Sequence, residues 1–305
     1  MDFNSWNIFW KACFASLATL IVVGNVLTIW IFLKQRRHKR AFSLLISLAI
    51  ADVLVGILAI PLFLKVMVSE GYAWYVISID ADVLTGTTSI YTLAVISLER
   101  MFAVGWPLRH RTINFHVYIC AISMPWIIAV MFTTLMVFQQ FDMIGRRKLS
   151  YIIPLICGIP LLTTCVANIV VWKKQQTPFR NQNHIKREVK LAKTLALITA
   201  TSLLTWLPFQ IMNILFELKV MANFHHMGLT VFIIKLLQFS NSFVNVIIYP
   251  FRIPEFKRTL FQILNFRVIP FSRSSADLSP QAGTESDVSL MRVTNSTFPL
   301  SNVHQ

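Results

Sequence analysis

Charged residues are scarce in this sequence: they make up 13% of its 305 residues, whereas soluble domains carry about 25%. Hydrophobic residues account for 55% of the chain, and the mean hydropathy is +0.62. A surface of this composition is too apolar to face water, which excludes a soluble enzyme, a disordered protein and a secreted disulfide scaffold. The composition indicates a polytopic membrane protein with little mass outside the lipid.

Cysteine is also rare, and none of the four cysteines lies in a candidate extracellular loop. Cys13, Cys120, Cys157 and Cys165 all fall inside apolar runs, so we expect no structural disulfide. The sequence has no Cys-x-x-Cys pair either. Because no nucleophile–base pair or cluster of metal ligands is evident, an enzymatic function is unsupported.

Long apolar runs dominate what is present. A membrane-crossing helix needs about 20 apolar residues, and seven segments meet this requirement. They predict an all-α membrane protein, a seven-transmembrane helix bundle over residues 12–250, preceded by a short extracellular N-terminus, residues 1–11. The predicted spans are 12–33, 42–67, 76–104, 116–138, 150–172, 191–218 and 228–250.

The basic residues set the orientation, because Lys and Arg accumulate on the cytoplasmic side. One side of the predicted bundle holds 21 of the 28 Lys and Arg. It contains loops 34–40, 105–115 and 173–190, the adjoining helix ends and everything after residue 250. This predicts a multi-pass plasma-membrane protein with its N-terminus outside and its C-terminus in the cytoplasm. Topology accounts for the net charge of +15, so no nucleic-acid partner is expected.

Two further segments follow the bundle. Residues 251–264 contain an apolar stripe with Lys257 and Arg258 beside it, a pattern typical of an amphipathic helix on the inner membrane surface. Residues 265–305 lose this period and hold eight Ser and three Thr, so we expect a disordered cytoplasmic tail. Phosphorylation would make this tail anionic and able to pair with a basic partner.

Polar residues inside the predicted spans are candidate functional groups, because they are costly in lipid unless they find partners. A carboxylate, two hydroxyls and three amides at similar depth can form an oxygen cage for a small cation such as sodium. They can equally form a hydrogen-bond network that joins helices. These residues are Asn25, Asp52, Ser89, Asn241, Ser242 and Asn245.

The third span carries a polar stripe. From Asp82, Ser89 is seven residues on and about 20° from the same face, and Arg100 is five whole turns and about 27 Å deeper. Such a stripe suits either conduction or signalling. Arg100 follows Glu99 at the inner membrane edge, where an arginine commonly snorkels to water. Alternatively, it forms a breakable latch with Glu188 at the start of the sixth span.

The sixth span contains Trp206 two residues before Pro208. The proline removes a backbone hydrogen bond and kinks the helix. Trp206 is therefore either a lever at the kink or a packed aromatic side chain.

Together these residues resemble the rhodopsin-like (class A) G-protein-coupled receptors over about residues 18–264. The motifs that carry the resemblance lie in the expected order on the expected spans. They are Gly24-Asn25-Val26, Leu48-Ala49-Ile50-Ala51-Asp52, Ser97-Leu98-Glu99-Arg100, Trp126, Trp206-Leu207-Pro208-Phe209 and Asn241-Ser242-Phe243-Val244-Asn245-Val246-Ile247-Ile248-Tyr249.

The resemblance implies roles for these residues. It implies an allosteric sodium pocket formed by Asp52, Ser89, Asn241 and Asn245. It implies that Arg100 meets the G protein, that Glu188 is its inactive-state partner and that Trp206 is a toggle below the ligand. The residues implied in coupling and activation are Glu99, Arg100, Glu188, Pro208, Asn245 and Tyr249.

The third and sixth spans are similar to those of the monoamine receptors, in which an aspartate at the Asp82 position pairs with the ligand ammonium. The implied ligand-binding residues are Asp82, Val83, Thr85, Gly86, Trp206, Phe209, Gln210, Asn213, Lys235 and Phe239. The third-span cysteine of the family is missing, with Tyr75 near its place. Lys235 is expected either to pair with Asp82 or to snorkel outward.

The expected function is a cell-surface receptor that binds a small extracellular ligand, an amine or amine-like molecule, and activates a heterotrimeric G protein. Arrestin, receptor kinases and membrane lipids are the further expected partners. A receptor for an adenosine-, melatonin-, lipid- or peptide-like ligand is the alternative. A transporter or channel that uses the polar stripe, and a light sensor that uses Lys235, are remote alternatives.

Overall fold

A computed structural model describes ten stretches of the chain: 3–34, 39–68, 71–141, 143, 146–175, 197, 200–202, 204–215, 228–252 and 254–264. All of them lie in one compact unit, Met1–Phe266. The second unit, Arg267–Gln305, lies outside the described residues. The cytoplasmic tail 265–305 therefore stays a prediction.

The described elements are all helical, as the apolar runs predict. The helices are α1 (Phe3–Lys34), α2 (Lys39–Leu54), a π-helical turn (Val55–Ala59), α3 (Ile60–Val66), α4 (Tyr72–Gly105), α5 (Pro107–Arg111), α6 (Phe115–Gln140), α7 (Arg146–Gln175), α8 (Gly228–Arg252) and α9 (Pro254–Leu264). Residues 204–215 are also helical, and we call them the Trp206 segment.

The helices follow the predicted spans. Helix α7 covers the fifth predicted span, and the Trp206 segment covers part of the sixth. Five described helices are long and apolar enough to cross a membrane, and they coincide with the first, second, third, fourth and seventh predicted spans: Ile8–Lys34, Phe42–Val66, Tyr72–Gly105, Phe115–Gln140 and Leu229–Pro250.

Helix α1 begins at Phe3, so the helix extends into residues 1–11, which were predicted to precede the bundle. One apolar side chain upstream of the predicted span, that of Trp10, packs against the bundle. Trp10 is buried, and its ring lies 5.6 Å from that of Phe232 and 6.5 Å from that of Phe14.

Helix α4 is the centre of the described bundle, because it contacts α2, α3, α6 and α7. Its buried face includes Thr85–Ile90 and continues to Arg100. Apolar side chains such as Ile127 and Val130 on α6 are exposed instead, as expected for a surface in contact with lipid. The polar residues of α4 are thereby placed in the interior of the bundle.

The second span is interrupted by the π-helical turn, in which Ile60 N–H donates to the carbonyl of Val55, five residues earlier. Pro61 follows directly and has no N–H for an α-helical bond. A π turn adds a residue and rotates the helix after it, and such turns are frequent at functional sites. Phe63, two residues beyond Pro61, lines the cavity described below.

Helix α9 packs its apolar side against the end of the bundle. Phe256 is buried, with its ring 5.5 Å from that of Phe32 and 5.8 Å from that of Tyr249. Lys257 and Arg258 are exposed. The amphipathic pattern read from residues 251–264 therefore corresponds to a helix with one packed face and one charged face.

Candidate functional site

A cavity of about 530 Å³ opens between α3, α4, α6, the Trp206 segment and α8. Its volume lies in the range of small-molecule sites, and most of its wall is apolar. It brings together most of the predicted ligand-binding residues, namely Asp82, Val83, Trp206, Phe209, Gln210, Asn213, Lys235 and Phe239.

Thr85 and Gly86, also predicted to bind ligand, are not among the residues that line this cavity. The Thr85 hydroxyl donates to the carbonyl of Ala81 at 2.8 Å. Gly86 lies against Trp206, since a Cβ at this position would be 2.6 Å from the indole Cη2. Gly86 thus serves the site by letting the Trp206 ring approach α4 closely.

An ion pair joins the two opposite sides of the cavity. Lys235 Nζ of α8 lies 2.5 Å from Asp82 Oδ2 of α4, and the two side chains are only 15% and 14% exposed. Gln238 Nε2 donates to the other oxygen, Asp82 Oδ1, at 2.9 Å. Of the two arrangements that the sequence left open, Lys235 therefore adopts the one in which it pairs with Asp82.

Aromatic rings surround the cation of this pair. Lys235 Nζ lies 4.2 Å from the ring centre of Phe209 and 5.5 Å from that of Phe239. Ring faces attract a cation, and more strongly where water is excluded. Asp82, Phe209 and Phe239 together form a site for an ammonium group, and Lys235 fills it.

Three polar atoms of the cavity-lining side chains have no hydrogen-bond partner within the described part of the chain. They are Trp206 Nε1, Gln210 Nε2 and Gln238 Oε1. Each of the three side chains is more than nine-tenths buried. A buried polar group without a partner is destabilising, so these atoms are candidates for contacts with a ligand.

Below the cavity, the predicted sodium residues meet around Asp52, which is fully buried. Asn245 Nδ2 donates to Asp52 Oδ2 at 2.9 Å, and Ser89 Oγ donates to Asp52 Oδ1 at 3.4 Å. Asn241 Oδ1 accepts from Thr205 Oγ1 of the Trp206 segment at 3.4 Å. The structure thus places Ser89 and Asn245 on the carboxylate, whereas Asn241 is hydrogen-bonded to Thr205.

The chemistry of this cluster fits a small hard cation. Asp52 and Ser89 offer oxygen atoms, and Asn245 Oδ1 is buried without a hydrogen-bond partner among the described residues. In that same part of the chain no basic side chain pairs with Asp52, and a buried carboxylate without a counter-charge is costly. Asn25 donates instead to the carbonyls of Ile21 and Ser242, each at 3.0 Å, so it joins α1 to α8.

A second polar cluster forms around Glu99, near the C-terminal end of α4. Arg100 Nε lies 2.7 Å from Glu99 Oε2. Glu99 Oε1 is also 2.8 Å from His110 Nε2 of α5, and it accepts from the Tyr118 hydroxyl of α6 at 3.1 Å. The predicted latch partner Glu188 lies outside the described residues, so the Arg100–Glu188 contact stays a prediction.

Two other predicted switch residues are placed by the structure. Tyr249 is fully buried, its ring lies 5.5 Å from that of Phe32, and its hydroxyl has no partner within the described residues. Pro208 lies within the Trp206 segment. The polar stripe of α4 is divided, because Asp82, Ser89 and Arg100 engage three separate sets of partners.

The sequence did not predict the side chains that contact Asp82 and Glu99 near the two ends of α4. Gln238 follows Lys235 by three residues, so helical spacing alone puts both on one face, and that spacing was the signal for it. His110 and Tyr118 gave no comparable signal, because they reach Glu99 from two other helices.

Known proteins resemble this chain along most of its length. A sequence model of the "7 transmembrane receptor (rhodopsin family)" matches residues 24–249, well over half of the chain. The adenosine receptor A3 of Bos taurus is 27% identical, over 87% of this chain and 92% of that protein. The trace amine-associated receptor 7b of Mus musculus is also 27% identical, over 88% of this chain and 86% of that protein.

We propose that sodium binds at Asp52 and stabilises the resting conformation. Replacing potassium by sodium at constant ionic strength should raise the thermal unfolding midpoint of the purified protein. The expected gain is about 1.4 kcal/mol at a sodium concentration ten times Kd. The variant Asp52→Asn should lose this response and the sodium effect on agonist affinity, whereas Asp80→Asn should keep both. A full sodium response in Asp52→Asn would contradict the proposal.

Proposed function

Because this chain belongs to the rhodopsin family of seven-transmembrane receptors, we propose that it binds an amine or amine-like ligand in the cavity around Asp82 and activates a heterotrimeric G protein. The family consists of multi-pass membrane receptors, so the chain is a multi-pass plasma-membrane protein, and we propose no catalytic activity for it. We also propose that its N-terminus lies outside the cell, which opens the cavity to extracellular ligands.

One observation carries the choice of an amine: Asp82 lines the cavity and already binds an ammonium group, that of Lys235, which lies over the rings of Phe209 and Phe239. A ligand ammonium would take the place of Lys235 at Asp82. Removing one partner of a buried ion pair costs about 3–5 kcal/mol, so further contacts of the ligand must offset this cost. The name of the trace amine-associated receptor 7b agrees with an amine.

A neutral ligand is the second candidate, and the intact ion pair favours it. Asp82 and Lys235 neutralise each other, so an uncharged molecule can occupy the cavity without breaking the pair. Trp206, Gln210 and Gln238 would supply its polar contacts. The name of the adenosine receptor A3 agrees with this candidate.

A ligand panel in cells that express the chain, with cyclic AMP and calcium readouts, tests the proposed function. An amine agonist should act on the wild type, and Asp82→Asn should weaken it by more than about tenfold, because the ammonium loses its buried counter-charge. Asp80→Asn is the matched control, since Asp80 accepts from Gln140 and does not line the cavity. An agonist that is equally potent on the wild type and on Asp82→Asn would refute the proposal that the ligand is an amine bound at Asp82.

We propose that Arg100 meets the G protein when the cytoplasmic end of the bundle opens, and that Glu188 holds this end closed. Glu188→Ala should therefore raise basal G-protein signalling at equal surface expression. Glu285→Ala, which removes the same charge from the tail, should leave basal signalling unchanged. Unchanged basal signalling in Glu188→Ala would mean that the latch contributes nothing.

Receptor kinases and arrestin are the proposed partners of the tail, residues 265–305. Its eight Ser and three Thr would become an anionic strand when phosphorylated, able to bind a basic groove. Truncation after Leu264 should abolish agonist-dependent arrestin recruitment and preserve G-protein activation. Arrestin recruitment that survives the truncation would refute this assignment.

A further inference from the structure

We propose that the ligand of this receptor is a zwitterion, whose ammonium binds Asp82 and whose carboxylate binds Lys235. The inference rests on the proposed receptor function and deepens it by naming the ligand class. It makes Lys235 the residue that determines specificity, because this lysine separates a receptor for zwitterions from a receptor for simple amines.

The first argument is charge balance. Asp82 Oδ2 and Lys235 Nζ are 2.5 Å apart, so the opposite charges of this pair cancel in the cavity. An amine alone would satisfy Asp82 and leave Lys235 unpaired, and an acid alone would do the reverse. Either outcome leaves an uncompensated charge within the membrane, which is costly. A zwitterion satisfies both side chains and keeps the cavity neutral.

The second argument is the set of unsatisfied atoms. A carboxylate only accepts hydrogen bonds, and an ammonium only donates them. Gln210 Nε2 and Trp206 Nε1 are buried donors without partners among the described residues, and Gln238 Oε1 is a buried acceptor without one. The two spare donors match a carboxylate. The spare acceptor belongs to Gln238, whose amide already contacts Asp82, and it matches an ammonium. All five side chains line the same cavity.

The third argument is that Lys235 can yield its place without leaving the cavity. Its Nζ lies over the rings of Phe209 and Phe239, which attract any ammonium in the same way. A ligand ammonium can therefore replace Nζ at Asp82. The flexible four-carbon stem of the lysine lets the displaced group follow the carboxylate of the same ligand.

The rest of the cavity wall determines which uncharged group the ligand can carry. Beyond the charged groups most of the wall is apolar, with Phe63, Ile79, Phe132 and Met136 among its residues. This surface fits an aromatic or aliphatic group joined to the charged end. An amino acid with an apolar side chain, or a close analogue, combines all three features.

Four probes that share one skeleton separate the alternatives: phenylalanine, 2-phenylethylamine, 3-phenylpropanoate and the neutral 3-phenylpropanamide. Each is tested in two ways, by thermal stabilisation of the purified receptor and by G-protein activation in cells. On the wild type, phenylalanine should act at a concentration roughly tenfold or more below that of either singly charged probe.

Two variants should change this order in opposite directions. Lys235→Met removes the cation and should weaken phenylalanine and strengthen 2-phenylethylamine. Asp82→Asn should weaken phenylalanine and strengthen 3-phenylpropanoate. Lys65→Met and Asp80→Asn are the matched controls, because neither Lys65 nor Asp80 lines the cavity, and both should keep the wild-type order.

The outcomes distinguish this inference from the proposed function. If 2-phenylethylamine or 3-phenylpropanamide activates the wild type better than phenylalanine, the zwitterion is refuted while the receptor function stands. If phenylalanine stabilises the purified protein but no G protein responds, the ligand class stands and the proposed signalling fails. Silence of all four probes in both readouts, on the wild type and both variants, also refutes the inference.

Discussion

The Asp82–Lys235 ion pair is the constraint on which the cavity of this receptor depends. An unpaired charge is costly in a membrane, so the carboxylate of α4 and the ammonium of α8 hold these two helices in register. Neighbouring side chains contact both members of the pair: Gln238 donates to the carboxylate, and the ring of Phe209 lies beside the cation. The result is a cavity with two opposite charges in its wall.

The cavity is connected to the neighbourhood of the Asp52 cluster through Trp206. Its ring lies against Gly86 of α4, and the preceding residue, Thr205, donates to Asn241 of α8. The Asp52 cluster on α2 and α8 is joined to α4 by Ser89. A ligand that shifts the indole would therefore change hydrogen bonds that join the Trp206 segment to α8. Contacts of this kind physically connect the cavity with the Asp52 cluster.

Much of the fold follows from the sequence, because twenty apolar residues in lipid can satisfy their backbone only as a helix. The family resemblance likewise located Asp52, Asp82 and Lys235, whose side chains the structure finds in two buried clusters. The start of α1 at Phe3 did not follow, since it depends on the packing of Trp10 against α8. Nor did the sequence predict that Thr85 and Gly86 lie outside the cavity wall, because small rotations of α4 about its axis decide which of its side chains face the cavity. His110 and Tyr118 were missed because they reach Glu99 from two other helices.

A double-mutant cycle on Asp82 and Lys235 tests most directly whether the ion pair organises the ligand-free receptor. The thermal unfolding midpoint would be measured for the wild type, Asp82→Asn, Lys235→Met and the double variant, each purified without ligand. Each single variant should be strongly destabilised, because it leaves one buried charge without its partner. The double variant should recover most of that loss, so that the two effects are far from additive. Single variants that unfold like the wild type, or effects that simply add in the double variant, would contradict the central role of this pair.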